Sequence, residues 1–448
     1  MGGEQRAPGR AQGEINMTEK ITSVRRQVVA VLCLMYMITY LARVAISAAA
    51  PTIMHELTLS KVEMGIVFTA FVLPYALFQI PTGVLGDKIG PRKVLAATVF
   101  LWSIFTGLTG LAWNLVSLVI VRFLFGVCEA GAFPNATRAF SHWLPATERA
   151  FASGITHSSA RIAGALTPII VVWITARWGW RWAFVAFAVM GILWSLSWFT
   201  WFRDTPMEFR RKSDAINETE IALIKGSSEL SQQRRPVPIT QLLLSKNLWA
   251  LGMSNFMYSF AFWIYLAWLP SYLVEARGMS MIAMGISASL PMLAGAAGDV
   301  VGGWLSDRMW RWTSNARLAR RSVPIFGLTM AAVLMTPGAM THSPQVAIAL
   351  LTGGMFGLEI AVGAYWAVCL DVGQDSAGSA AGMMSSLGNA GSAVSPLVVG
   401  AVVQYTGSWI FSFALASALL IIGAALWLFI DPELPLQTEL ENRKLGAG

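Results

Sequence analysis

An all-α polytopic membrane protein of 12 transmembrane helices in two six-helix halves is the fold the sequence predicts, on three observations. Of its 448 residues 55% are hydrophobic and only 12% charged, with a mean hydropathy of +0.58, too apolar for a soluble chain of this length. Twelve apolar segments reach the roughly 20 residues that a spanning helix needs. One long hydrophilic connection, 203–247, separates six of them from the other six.

In order, the spans run over 28–50, 62–85, 94–112, 114–138, 150–176, 181–202, 248–275, 281–305, 322–340, 345–370, 379–404 and 408–430. Pro74, Pro134, Pro168, Pro270, Pro291 and Pro396 fall inside these runs, where neighbouring helices can re-satisfy the freed backbone. Glycines such as Gly126, Gly131, Gly382, Gly388 and Gly391 suit close helix approach. The chain thus divides into an arm (1–27), an N-terminal half (28–202), a linker (203–247), a C-terminal half (248–430) and a tail (431–448). Lys88, Arg92, Lys93, Arg138, Arg149, Arg308, Arg311, Arg317, Arg320 and Arg321, with the basic arm and tail, fall on one side, against Lys61, Arg177, Arg181 and Arg277 on the other. Basic residues concentrate on the inner face of a membrane, so both termini are expected in the cytoplasm, under a cell (inner) membrane.

The net charge of +8 resides mostly in these short connections, which argues against a nucleic-acid partner. Cys33, Cys128 and Cys369 lie within apolar segments without Cys-x-x-Cys pairing, so neither a disulfide framework nor a metal site is expected. The polar opening leads into a full span rather than a cleavable signal, Gln5-Arg6 lacks the hydroxyl of a myristoylation motif, and a composition change at Met17 marks a second candidate start. No phosphate loop, nucleophile triad or metal cluster appears, and the chain is not expected to be an enzyme or to hold a cofactor.

Function is written in the charges at membrane depth. Arg43, Arg122 and Arg161 lie in spans one, four and five, and Glu129, Asp299 and Glu359 in spans four, eight and ten. Each such charge costs at least about 2.5–3.5 kcal/mol to insert, and is tolerated where it faces a bundle interior or a watery path. Converging arginines would attract an anion.

After the second span stands Gly86-Asp87-Lys88-Ile89-Gly90-Pro91-Arg92-Lys93, echoed after the eighth by Gly303-Trp304-Leu305-Ser306-Asp307-Arg308. A six-plus-six duplication with this turn resembles the major facilitator superfamily over essentially the whole chain. The resemblance implies that Asp87 and Arg92 are conformational-switch residues in a turn that latches the halves together.

The fourth span reads Arg122-Phe123-Leu124-Phe125-Gly126-Val127-Cys128-Glu129-Ala130-Gly131-Ala132-Phe133-Pro134-Asn135. Arg122 and Glu129 share a helical face about 10 Å apart along the axis, too far for a direct ion pair. The run looks like the signature of the anion:cation symporter family, which implies Arg122 near the substrate and Glu129 as the protonatable, proton-coupling carboxylate. A permanently ionised partner of an arginine is the competing role for Glu129. In the first span Tyr40 and Arg43 match a pair that grips a substrate carboxylate in that family; a guanidinium fork suits this by binding bidentately. Many relatives carry an aspartate directly before this arginine, whereas here Ala42 stands there, which leaves proton stoichiometry and coupling open.

Arg161, one turn from His157, is either a contact for a second acidic group of the substrate, as in a dicarboxylate or sugar diacid, or a counter-ion to Glu359 or Asp299. His157 is either titratable or a hydrogen-bonded structural residue. In the C-terminal half Tyr258, Trp366 and Asn389 are the candidate substrate contacts. The expected function is secondary active transport of a small organic anion by alternating access, driven by a proton gradient, by a monomer in the bilayer. A transporter-like solute sensor and a multidrug exporter are the alternatives.

Overall fold

The computed structural model describes residues 22–213, 215–226, 242–373 and 376–439. Residues 1–21 of the arm, with Met17, much of the linker and the end of the tail lie outside them, as does the side chain of Asp307.

Secondary structure among the described residues is helical throughout. The spans are Val24–Glu56, Lys61–Ile89, Pro91–Thr109, Leu115–Trp143, Ala146–Trp178, Trp180–Trp201, Lys246–Glu275, Met281–Thr313, Ala316–Met340, Pro344–Gly373, Ala377–Thr406 and Trp409–Leu426. Eleven of these are long and apolar enough to cross a membrane by length and composition. Pro91–Thr109, opening on Pro91-Arg92-Lys93, is the twelfth and packs with the second, fourth and sixth. Between the halves stand two short helices, Pro206–Arg210 and Glu218–Gly226.

Several ends carry the caps their sequences encode. Ser60 accepts from the Glu63 amide while Glu63 accepts from the Ser60 amide, a reciprocal capping box. Ser280, Asn315 and Ser343 cap the eighth, ninth and tenth spans in the simpler way.

Three spans are broken at mid-depth. The fourth interrupts its helix after Glu129 and resumes at Ala132. The tenth interrupts after Ile360 and resumes at Val362. In the seventh a π-helical turn, Ile264–Trp268, precedes Pro270, whose missing N–H removes an α-helical bond.

The halves meet mainly through the second against the eleventh span and the fifth against the eighth. Their contacts concentrate at the end remote from the termini. There the Val62 amide donates to Gln404 (2.9 Å), Thr69 to the Ala393 carbonyl (2.9 Å), and Lys61 pairs with Glu275 at 2.8 Å. Glycine makes this approach feasible: a Cβ on Gly65 would lie 2.7 Å from the Pro396 carbonyl oxygen, and one on Gly285 3.2 Å from that of Pro168. At the end that carries the termini, Ile80, Phe151, Val300 and Leu370 are exposed, and a Cβ on Gly154, Gly303 or Gly382 would meet nothing within 4 Å. The bundle is closed at one end and open at the other.

Candidate functional site

Two charge clusters, each built on a fully buried glutamate, lie at the depth of the helix breaks. In the N-terminal half the Arg43 guanidinium donates through Nε to Glu129 Oε1 at 3.0 Å and pairs with the same oxygen through Nη2. It is boxed by the rings of Tyr40, Phe71, Tyr75 and Phe133, with centroids 4.7–5.7 Å away, contacts that help hold a cation out of water. Glu129 is fully buried, and its Oε2 has no hydrogen-bond partner among the described residues. Arg122 is 1% exposed and lies over Phe71 (5.1 Å) and Phe125 (4.3 Å), with Nε and Nη1 unpartnered. The close packing needed here comes from Gly126, where any Cβ would collide with the Phe71 carbonyl oxygen and lie 2.9 Å from Pro74.

The second cluster joins the halves. Arg161, from the fifth span, reaches Glu359 of the tenth (Nη1 to Oε2, 2.5 Å) and Asp299 of the eighth (Nη2 to Oδ2, 3.4 Å). Tyr258 of the seventh donates to Glu359 Oε1 at 3.1 Å. Gly295 and Gly298 let the tenth span come close, since a Cβ on either would stand 3.1–3.2 Å from the Glu359 side chain. Arg161 pairs here with both carboxylates that the sequence offered as its counter-ions. His157 Nδ1 bonds the Ser153 carbonyl at 2.8 Å, as a structural histidine does.

A cavity of about 270 Å³ opens beside this cluster. Tyr40, Arg161, Tyr258, Trp366 and Asn389 line it, together with Asn255, Ser259 and Ser385. Trp366 is half-exposed. Arg43 and Arg122 are not in its wall: Arg43 lies against Tyr40 and faces Glu129, and Arg122 sits behind Phe71. The sequence candidates therefore separate into a cavity set and a dry set.

The expected latch of the Gly86-to-Lys93 turn across the halves is not made. Asp87 pairs with Arg138, and Arg92 donates to the Phe199 carbonyl at 3.0 Å through Nε while its amide donates to Asp204 at 2.7 Å. Arg138 and Phe199 belong to the N-terminal half and Asp204 to the start of the linker, so among the described residues none of these partners lies in the opposite half, which stands apart at the open end. Gly90 holds a φ of +87° at this turn, with the Asp204 carboxyl so close that a Cβ would clash with it.

A twelve-helix bundle split six and six, with helix breaks and charges around a central cavity, is the geometry of an alternating-access carrier. The sequence profile of the Major Facilitator Superfamily matches residues 32–396. The chain belongs to that superfamily. Membership makes it a membrane transporter and not an enzyme. It is 41% identical over 418 residues to the probable sulfoacetate transporter of Cupriavidus necator, covering 93% of this chain and 96% of that one. It is 32% identical over 411 residues to the hexuronate transporter of Bacillus subtilis, with 90% and 95% covered. Over 424 residues it is 32% identical to a probable galactarate/D-glucarate transporter of the same organism, 90% of each chain being covered. Among solved structures, a bacterial homologue of the human lysosomal transporter Spinster, in an inward-facing and occupied conformation, superposes with a TM-score of 0.76 at 19% identity over 92% of this chain and 97% of that one.

Within this major facilitator bundle, sequence inspection missed the aromatic box around Arg43. Phe71 and Tyr75, four apart on one face of the second span, were its available signal. It also missed that Glu129 and Glu359 both stand at helix breaks, of which Pro134 was a local signal only for the first.

Proposed function

We propose that the protein is a proton-coupled symporter of a small organic anion, a sugar acid or a short acid bearing sulfonate and carboxylate, working by alternating access. The observation that carries this is the ion pair of Arg43 with Glu129 in a buried aromatic box. A substrate acid and Glu129 compete for one guanidinium. Protonation of Glu129 on the unpartnered Oε2 removes the carboxylate's charge, which weakens its hold on Arg43 through Oε1 and leaves the guanidinium's charge to the anion. Arg43 and Arg122 then present two positive charges to the substrate. Sulfoacetate, galactarate and glucarate each bear two acidic groups, and a dianion would match that pair. Tyr40, Tyr258, Trp366, Asn389 and Arg161 in the cavity wall contact the remainder of the substrate, the asparagine and tyrosines reading hydroxyls. The carrier works as a monomer in the inner membrane with both termini in the cytoplasm, so the open end faces inward. Asp87 and Arg92 exchange their present partners when that end closes.

Uptake of labelled sulfoacetate, glucuronate and glucarate by proteoliposomes, with and without an inward proton gradient, tests the reading. Accumulation that follows the gradient is expected, and uptake indifferent to it would sink the symport claim. Glu129→Gln should abolish accumulation while sparing exchange; full accumulation by that variant would contradict the proton role.

A further inference from the structure

We propose that Glu359 and Asp299, sharing Arg161, form a second proton-binding site in the C-terminal half. Nothing in the sequence assigned coupling to this cluster, and the inference stands whether or not Glu129 takes a proton.

Position is the first argument. The halves are duplicates, so the tenth span corresponds to the fourth. Glu129 is the last helical residue before the fourth span breaks, and Glu359 is next to last before the tenth does. Both are fully buried carboxylates facing an arginine. The C-terminal half thus repeats the device that the N-terminal half uses.

Charge is the second. The intramembrane charges sum to zero but are not evenly placed. Arg43 and Arg122 with Glu129 carry a formal +1, whereas Arg161 with Glu359 and Asp299 carries −1. A net negative cluster beside an anion's cavity opposes the substrate, and one proton removes the excess charge.

Hydrogen bonding is the third. Glu359 Oε1 accepts from Tyr258 and Oε2 faces Arg161 Nη1 at 2.5 Å, while the same guanidinium meets Asp299 at 3.4 Å, so two carboxylates share one cation. Arg161, which lines the cavity, and Asp299 remain partly exposed, at 21% and 32%, so water has access to the cluster. The other groups facing the cluster are Tyr258 of the seventh span, His157 of the fifth and Tyr40 of the first. His157 is engaged through Nδ1 with a carbonyl, so Arg161 is the cluster's sole permanent cation among them. When the open end closes, the cluster loses its water. An uncompensated buried charge costs more than a paired one, so proton uptake here favours closure.

Infrared pH-difference spectra of the whole protein in lipid, titrated with protons alone, test this, because the carboxylic-acid C=O stretch is blind to His157. We expect one buried-carboxyl band that Asp299→Asn and Glu359→Gln each remove, since either change leaves Arg161 with one ionised partner. Glu129→Gln should keep this band, which separates it from the coupling proposed above. Persistence of the band in either C-terminal variant, or its absence from the wild type, overturns the proposal. Asp299, one-third exposed, tolerates substitution even where Glu359→Gln does not fold.

Discussion

Replacing Arg122 by Met should stabilise the empty carrier and end its response to substrate. The guanidinium is 1% exposed, with Nε and Nη1 unpartnered. Each orphaned buried donor costs about 1–3 kcal/mol, and the uncompensated charge adds to that. Against this stand two ring contacts, at 5.1 and 4.3 Å, worth about 0.5–2 kcal/mol each. Met fills a comparable, adaptable volume and leaves Arg43 and Glu129 as a one-to-one pair. The net gain is about 1–3 kcal/mol, and at about 2–4 °C per kcal/mol for a unit the size of one half, Tm should rise on the order of 5 °C. With substrate at 100 times Kd the wild type should gain about 2.7 kcal/mol by mass action, and the variant none. Differential scanning fluorimetry on the native tryptophans, with and without sulfoacetate or glucarate, reads both effects. A lower Tm for the empty variant would show that the rings outweigh the orphaned donors; a full ligand shift in the variant would show that Arg122 does not serve the substrate.

Asn389→Ala removes one polar group from the cavity wall and should raise KM about 3- to 10-fold in liposome uptake, the loss of one hydrogen bond; an unchanged KM would remove it from the site. Gly126→Val forces the second and fourth spans apart at the Phe71 carbonyl and should lower Tm by an amount equivalent to about 1–3 kcal/mol, whereas Gly83→Ala, 3.5 Å from Pro134, should be neutral in the same scan. Cysteines at Lys61 and Glu275, now an ion pair between the halves, should arrest uptake when bridged by a bis-methanethiosulfonate reagent, which links them through reducible disulfides, in a background lacking Cys33, Cys128 and Cys369. Reduction should restore it, and transport by the bridged protein would mean that this end does not open.

The twelve spans were legible because the bilayer imposes length and apolarity on every segment alike. The eighth and ninth helices extend beyond their apolar cores, to Thr313 and back to Ala316, since hydropathy marks the membrane and not the end of hydrogen bonding. The break at Ala130-Gly131 was foreshadowed by Pro134, but the break at Ala361 has neither Pro nor Gly immediately beside it. Its cause is tertiary: the eighth span's Gly302 and the ninth span's Gly327 pack directly against Ile360, and such contacts carry no local sequence mark.

Which charge pairs with which was the least legible part, and the reason is combinatorial. Three arginines and three carboxylates at membrane depth satisfy neutrality under many pairings, so counting them cannot choose one. The fourth span places Arg122 and Glu129 on one face, and spacing alone excluded a direct pair between them; it could not say that Arg43 would take Glu129. That choice leaves Arg122 without a carboxylate, in a chain that has Ala42 where relatives of the resembled family often have Asp. Arg161 in turn draws two carboxylates from the opposite half, because close-packed glycines at 295 and 298 bring Glu359 beside Asp299. The excess positive charge in one half and the excess negative charge in the other follow from that geometry. On the proposed coupling, a dianion together with a proton on Glu129 would neutralise the first cluster, and a proton on the Glu359–Asp299 pair the second, so neither half would bury an unpaired charge as the open end closes.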